Sequence, residues 1–298
     1  RQMCIRDSSK AKYFVNFSYQ NNDGLYKTDD LNTYNTNANF QVYSIRSNVD
    51  VSLTKDLLLS VDLFGRQQLR NNPGGSMSAE GLFKTLYSLP ANIFPLNYGS
   101  DKVAGTNAYR KNPYGILNHS GYSKYIHSTM EASMKANQKL DFITKGLSVK
   151  LKGAYNSEYA NTKKASSSKA YYTPVANADG SISLRKYGTD SQLSYGEPDN
   201  GFSKARNWYM ELALNYARKF GDHNVTALLL YNQSKKYYPS EYSDIPTGYV
   251  GLVGRVTYDW KTRYMAEFNA GYNGSENFRP GNRYGFCRLY TSPSPRDA

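Results

Sequence analysis

Long stretches of this chain alternate apolar and polar residues with a period of two. In YVGLVGRVTYDWKTRYMAEFNAGYNGS, Val250, Leu252, Val256, Tyr258 and Trp260 share one parity, and Val253, Arg255, Thr257 and Asp259 the other. Beyond the KTR turn, Tyr264, Ala266, Phe268, Ala270 and Tyr272 fall together, opposed by Glu267, Asn269 and Asn273. Successive side chains of a strand point to opposite faces, so this segment reads as a hairpin with one apolar and one polar face. FQVYSIRSNVDVSLT, LLLSVDLFGR, YIHSTMEASMKANQKL, LSVKLKGAYNSEY and NWYMELALNYARKF read the same way. NVTALLLYNQSKK is apolar on parts of both parities, and its pattern leaves the face open. With AKYFVNFSYQ at the start, the count is about nine strands.

The connections carry as much information. Short ones near 54–57, 139–146, 220–223 and 261–263 alternate with long ones at 21–38, 70–123, 159–204 and 237–247. In an up-and-down sheet this places every short turn at one end and every long loop at the other, the asymmetry of transmembrane β-barrels. The apparent strands run about 10–15 residues, against about 5–6 in globular sheets and about 9–11 needed to cross a bilayer. Aromatics near strand ends (Tyr13, Tyr19, Trp208, Trp260, Tyr264, Tyr272) fit interfacial girdles. The predicted fold is therefore all-β, an antiparallel up-and-down transmembrane β-barrel. A soluble β-rich binding protein is the alternative; it predicts shorter strands and an apolar face packed against a second sheet. On the barrel reading, a charge facing lipid costs about 2–4 kcal/mol for Arg or Lys, so Arg46, Asp50, Lys150, Lys152, Glu211, Arg255 and Glu267 are expected to face the lumen.

Composition adds limits. No run of about 18 apolar residues occurs, which excludes helical spans. The chain holds 29 tyrosines and a net charge of +13. Lys and Arg are scattered rather than clustered, so no nucleic-acid partner is expected. The ends stand apart in character. Met-Cys-Ile-Arg near the start and Leu-Tyr-Thr-Ser near the finish can be written as one DNA sequence read on opposite strands. That DNA resembles the transposon end and adapter of a sequencing-library kit. Residues 1–8 and 287–298 are accordingly expected to be adapter-derived, leaving 9–286 as part of a barrel; Arg288 fits the adapter poorly. Setting the ends aside removes both cysteines, Cys4 and Cys287, and two net positive charges. No disulfide or thiolate site then remains to be expected.

Catalytic chemistry finds little footing. His119, His127 and His223 are far apart and match no metal-ligand spacing. NNPGGS has the glycines of a phosphate loop without its Lys-Ser/Thr. Neither an enzyme, a metal nor a cofactor is expected. The long connection 70–123 is richer. GLFKTLYSL places Leu82, Leu86 and Leu89 near helical spacing. Tyr98, Tyr109, Asn112 and Tyr114 then offer aromatic faces beside amides, a combination that suits sugar or peptide binding, with loop packing as the plainer reading. In the loop 159–204, NADGS suggests a small hairpin.

RYMAEFNAGYNGSENFRPGNRYGF resembles a signature of the SusC/RagA family of TonB-dependent outer-membrane transporters, with Tyr284 where the family has Trp. SIRSNVDVSLTKDLLLSVDLFGR resembles the family again, as does the block from LFKTLYSLPANIFPLNYGS through KNPYGILNHSGY. The resemblance covers residues 10–286. It implies a middle piece of a plugged barrel of about 22 strands. It further implies an integral protein of a Bacteroidota-type outer membrane that imports oligosaccharides or peptides. A SusD-like surface lipoprotein would lid the barrel, and the TonB–ExbB–ExbD complex would energise it through a preceding segment. A piece of that size is expected to form an open curved sheet with unpaired edges. An outer-membrane barrel of another class, adhesin or lipid-handling, is the remaining alternative.

Overall fold

The computed structural model describes residues 2–7, 10–29, 34–74, 79–99, 101–196, 203–237 and 245–291. Along the chain these form β1 (Gln2–Asp7), β2 (Ala11–Asp23), β3 (Asn39–Ser52), β4 (Leu57–Pro73), α1 (Ala79–Ser88), β5 (Val103–Ala104), α2 (Pro113–His119) and β6 (Gly121–Lys139). There follow β7 (Leu147–Ser168), β8 (Tyr171–Ala176), β9 (Ile182–Tyr187), β10 (Ser191–Tyr195), β11 (Ser203–Phe220), β12 (His223–Tyr237), β13 (Thr247–Trp260), β14 (Tyr264–Ser275) and β15 (Tyr284–Thr291).

One large antiparallel sheet runs β1-β2-β3-β4-β6-β7-β11-β12-β13-β14-β15, each strand beside its neighbour in sequence once the loop elements are set apart. No pairing among the described residues joins β1 to β15, so the sheet is open. The nine strands read from alternation are β2, β3, β4, β6, β7, β11, β12, β13 and β14, from 12 to 22 residues long. The two end segments are drawn in as well. β1 pairs with β2, and β15 runs past Cys287 along β14. A sheet edge presents a row of unpaired N–H and C=O groups, and an extended segment of almost any sequence satisfies them.

Register fixes the faces. Directly opposed residues lie on the same side, and the row Ala11–Val51–Leu59–Ala136–Leu151–Leu212–Tyr231–Leu252–Tyr272 crosses nine strands on one face. This apolar face is open to its surroundings: Phe17, Ile45, Met130, Leu151, Leu212, Leu229, Leu252 and Phe268 are all exposed. Among the described residues no second sheet covers it, which is the opposite of what the soluble sandwich requires. The ambiguous strand β12 is settled by its partners. Leu229 pairs with Leu214 and Gly254 on the apolar face, while Leu228 pairs with Asn215 and Arg255 on the polar one.

The connections divide as expected. Residues 53–56, 140–146, 221–222 and 261–263 turn at one end, and the long segments lie at the other. The 261–263 turn carries Lys261 and Thr262 at φ 54° and 57°, a left-handed conformation that Asp259 supports by accepting from the Thr262 amide at 3.1 Å. At the long-loop end, Gly121 opens β6 at φ +89°; a Cβ there would sit 2.0 Å from the Ala165 carbonyl oxygen. The helix read in GLFKTLYSL is α1, and the hairpin around NADGS is β8–β9, joined by β5 into a small second sheet. The sequence reading missed α2, which occupies part of the long connection.

Candidate binding surfaces: the polar face and the loop cap

The polar face takes its charges from alternation alone. All seven residues expected on the lumen side share it: Asp50, Lys152 and Glu211 stand in one lateral row, and Arg46, Lys150, Arg255 and Glu267 lie at even offsets from that row along their strands. Asp62 and Glu131, which sequence reasoning passed over, belong to this face too, as their parity in β4 and β6 could have shown.

Two ion pairs lie within the face among the described residues. Glu211, 9% exposed, takes an ion pair from Lys150 at 2.5 Å and a hydrogen bond from the Tyr209 hydroxyl at 2.6 Å. Lys152 lies 5.9 Å from the centre of the Tyr209 ring. Arg255 pairs with Glu267 at 3.0 Å, and Asn269 donates to the other oxygen of that carboxylate at 2.7 Å. The Arg46 guanidinium lies over Phe64 at 4.8 Å, bordering a shallow cavity of about 130 Å³ lined by Asp62, Glu131 and Asn156. Asp50 sits apart, nearer the short-turn end of β3. The result is a hydrophilic wall carrying both signs of charge, tied at two places by ion pairs.

The loop cap is built on α2. Asn112 caps its N-terminus, with Oδ1 accepting from the Tyr114 amide at 2.9 Å, and Pro113 begins the helix. The same side chain donates to the carbonyls of Leu96 and Ala104 at 2.9 and 2.8 Å, and it is 3% exposed. Its amide is thus consumed by the fold. Tyr114 donates its hydroxyl to Asp29, and Asn118, fully buried, accepts from the Asp29 amide at 2.9 Å. Burial, reinforced by Asp29, raises the Tyr114 phenol above its usual range. Tyr98 and Tyr109 are half-buried in the same connection. Their backbone amides are engaged locally, by Lys102 and Thr106.

His119 ends α2 and is buried, and its Nε2 has no partner among the described residues. Burial first, then the charge of Lys169, holds its imidazole below the usual 6.5. Ser167 on β7 donates to the His119 carbonyl at 2.7 Å, fastening the cap to the strand below. His127 lies on the polar face of β6 near Tyr125, and His223 stacks between Tyr258 and Trp260 at the short-turn end. No group of residues fit to hold a metal occurs among the described residues.

Comparison with known proteins follows the geometry. No protein-family model matches the chain. TonB-dependent receptor P3 of Formosa agariphila is 24% identical over 313 residues, which cover 94% of this chain and 28% of the receptor. The RagAB peptide transporter superposes with a TM-score of 0.58 at 14% identity, covering 95% of this chain and 32% of that one. The resemblance to TonB-dependent transporters stands. The RagAB peptide importer in its open-open state gives 0.59 at 15% identity, over 96% and 32%. At these identities the solved structures speak for the fold, and the chain spans about a third or less of each relative's length. These relatives are transporters and receptors rather than enzymes.

Proposed function

We propose that this chain is a section of the barrel wall of a TonB-dependent outer-membrane nutrient importer of the SusC/RagA type, for oligosaccharides or peptides. One observation carries the reading. Every carboxylate on the facing strands β3, β4, β6, β7, β11, β12, β13 and β14 lies on the polar face, while the apolar face stays exposed between two sets of aromatics. On β11 the apolar-face residues Trp208, Met210, Leu212, Leu214 and Tyr216 run unbroken as far as Arg218; at about 3.3 Å per residue and a tilt of about 40°, Trp208 and Tyr216 stand about 20 Å apart along a barrel axis. With the Arg218 side chain reaching outward past that level, this approaches the apolar band about 25 Å tall of outer-membrane barrels.

In this reading the polar face lines the lumen. A wall that mixes both signs of charge with amides holds a hydrated interior. The long-loop end faces outward, where a SusD-like lipoprotein would sit. Coupling to TonB–ExbB–ExbD belongs to other parts of such a transporter. RagAB is described as a peptide transporter, and the aromatic-rich loops here suit peptides and oligosaccharides alike. The test is deletion of the complete gene in its host, followed by uptake of labelled oligopeptides and oligosaccharides with and without a proton uncoupler. Loss of uncoupler-sensitive uptake of one class is expected. Unchanged uptake of both contradicts the proposal.

A further inference from the structure

On the apolar face the cations are distributed unevenly. At the apolar-face positions of β6, β7, β11, β12 and β13, Lys124, Lys163, Lys204, Arg206 and Lys235 all lie toward the long-loop end. Arg218 alone lies toward the short turns, and no carboxylate occupies any of these positions. Lys124 and Lys163 are directly opposed, an arrangement of like charges that is unfavourable without an anion nearby.

Part of this cationic edge surrounds a notch. A cavity of about 340 Å³ opens at the long-loop end of β11–β14, walled by Trp208, Tyr237 and Tyr284 and carrying Lys235, Arg283 and Glu276. Gly248 and Gly274 lie in its floor on the apolar face. Just above the Trp208 level, the Arg206 guanidinium lies 4.5 Å over the Tyr237 ring, with Lys235 Nζ 5.9 Å from the same ring. Among the described residues Glu276 is the one carboxylate in the lining, reaching Lys235 at 4.0 Å, and Arg283 donates from Nε to the Phe278 carbonyl at 3.1 Å. Lys235 and Arg283 in the lining and Arg206 beside it, with the Tyr237 ring under Arg206 and Lys235, set cations at the edge of the apolar band where an anion arriving from the membrane side would meet them.

We propose that Arg206, Lys235 and Arg283 bind the phosphate of a lipid headgroup in the leaflet on the long-loop side, with Trp208 and Tyr237 against the acyl–headgroup boundary. The inference rests on the membrane-barrel reading above. Long cationic side chains reach from an apolar surface to the interfacial phosphates, and each contributes roughly fivefold in affinity for an anionic membrane surface.

The experiment uses the complete transporter carrying this sequence, reconstituted in nanodiscs of phosphatidylcholine with a minor fraction of phosphatidylglycerol. Lipid retained after detergent extraction is read by native mass spectrometry. The wild type is expected to retain phosphatidylglycerol preferentially, and less so in high salt. The variant Arg206→Gln/Lys235→Gln/Arg283→Gln should lose roughly tenfold or more of that preference. The charge-keeping variant Arg206→Lys/Lys235→Arg/Arg283→Lys should keep it, which separates charge loss from misfolding. Equal retention by wild type and the neutral variant overturns the proposal. So does displacement of the lipid by millimolar inorganic phosphate, which would mark a soluble-anion site. Wild-type protein that does not reach the membrane overturns the barrel reading and this inference together, whereas insertion without lipid preference overturns this inference alone.

Discussion

Glu211 is the residue on which the polar face is most tightly organised. Its carboxylate accepts from Tyr209 and pairs with Lys150. Replacing it by Leu leaves both partners without their acceptor; a loss of about 2 kcal/mol is expected in urea unfolding, with about 1 kcal/mol for Tyr209→Phe. In the cap, Asn112→Ala removes a helix cap and two carbonyl contacts. It should cost about 2 kcal/mol locally, seen as faster amide exchange over residues 96–119 with β11 and β12 unchanged. His119 gives the cap a pH dependence. Its folded pKa is held below 6.5, so below that value the loosened cap binds more protons than the packed one. Cap stability is therefore complete above pH 6.5 and declines as pH falls through that value toward the folded pKa. Limited proteolysis of the long loops should accelerate between pH 7.5 and 5.5, and His119→Phe should flatten that response. At this scale the sequence was legible where alternation decides the face, as at Arg255 and Glu267. It was less legible at Asn112. An Asn before a Pro is a helix-start signal as much as a binding-loop signal, and only the packing of Leu96 and Ala104 against it distinguishes the two.

Among elements, the strands were read almost in full, because a sheet with one apolar and one polar face imposes strict alternation. β12 was the exception. Leu228 and Leu230 sit on the polar face, beside Asn215 and Ala213, and only their pairing reveals it. The membrane reading makes a sharp prediction here. Leu229→Arg, on the apolar face near mid-strand, should cost about 2–4 kcal/mol in folding into bilayers, whereas Leu228→Arg should cost well under half of that. The 261–263 turn offers the opposite sign. Thr262 is β-branched and left-handed at φ 57°, so Thr262→Gly should stabilise by up to about 1 kcal/mol in the same titration. The end segments were set aside as translated adapter, yet they lie as strands along β2 and β14. Edge pairing reads backbone groups rather than sequence, so composition alone does not foretell it.

The whole molecule is an open sheet with two chemically distinct faces and two distinct ends. Its architecture was legible because long alternating strands joined by alternately short and long connections follow from an open two-faced sheet rather than from a buried core. The substrate of the proposed importer was not, since sequence spacing does not position loop side chains such as Tyr98 and Tyr109. The central claim is that the apolar face meets lipid. It is tested most directly by spin labels placed singly at each position from Trp208 to Tyr216 of the complete protein in a bilayer, with accessibility to oxygen and to a water-soluble nickel chelate measured for each. A period of two is expected: even positions open to oxygen and closed to nickel, and odd positions the reverse or shielded from both. Even positions shielded from both reagents, as in a sandwich core, or open to nickel would contradict it.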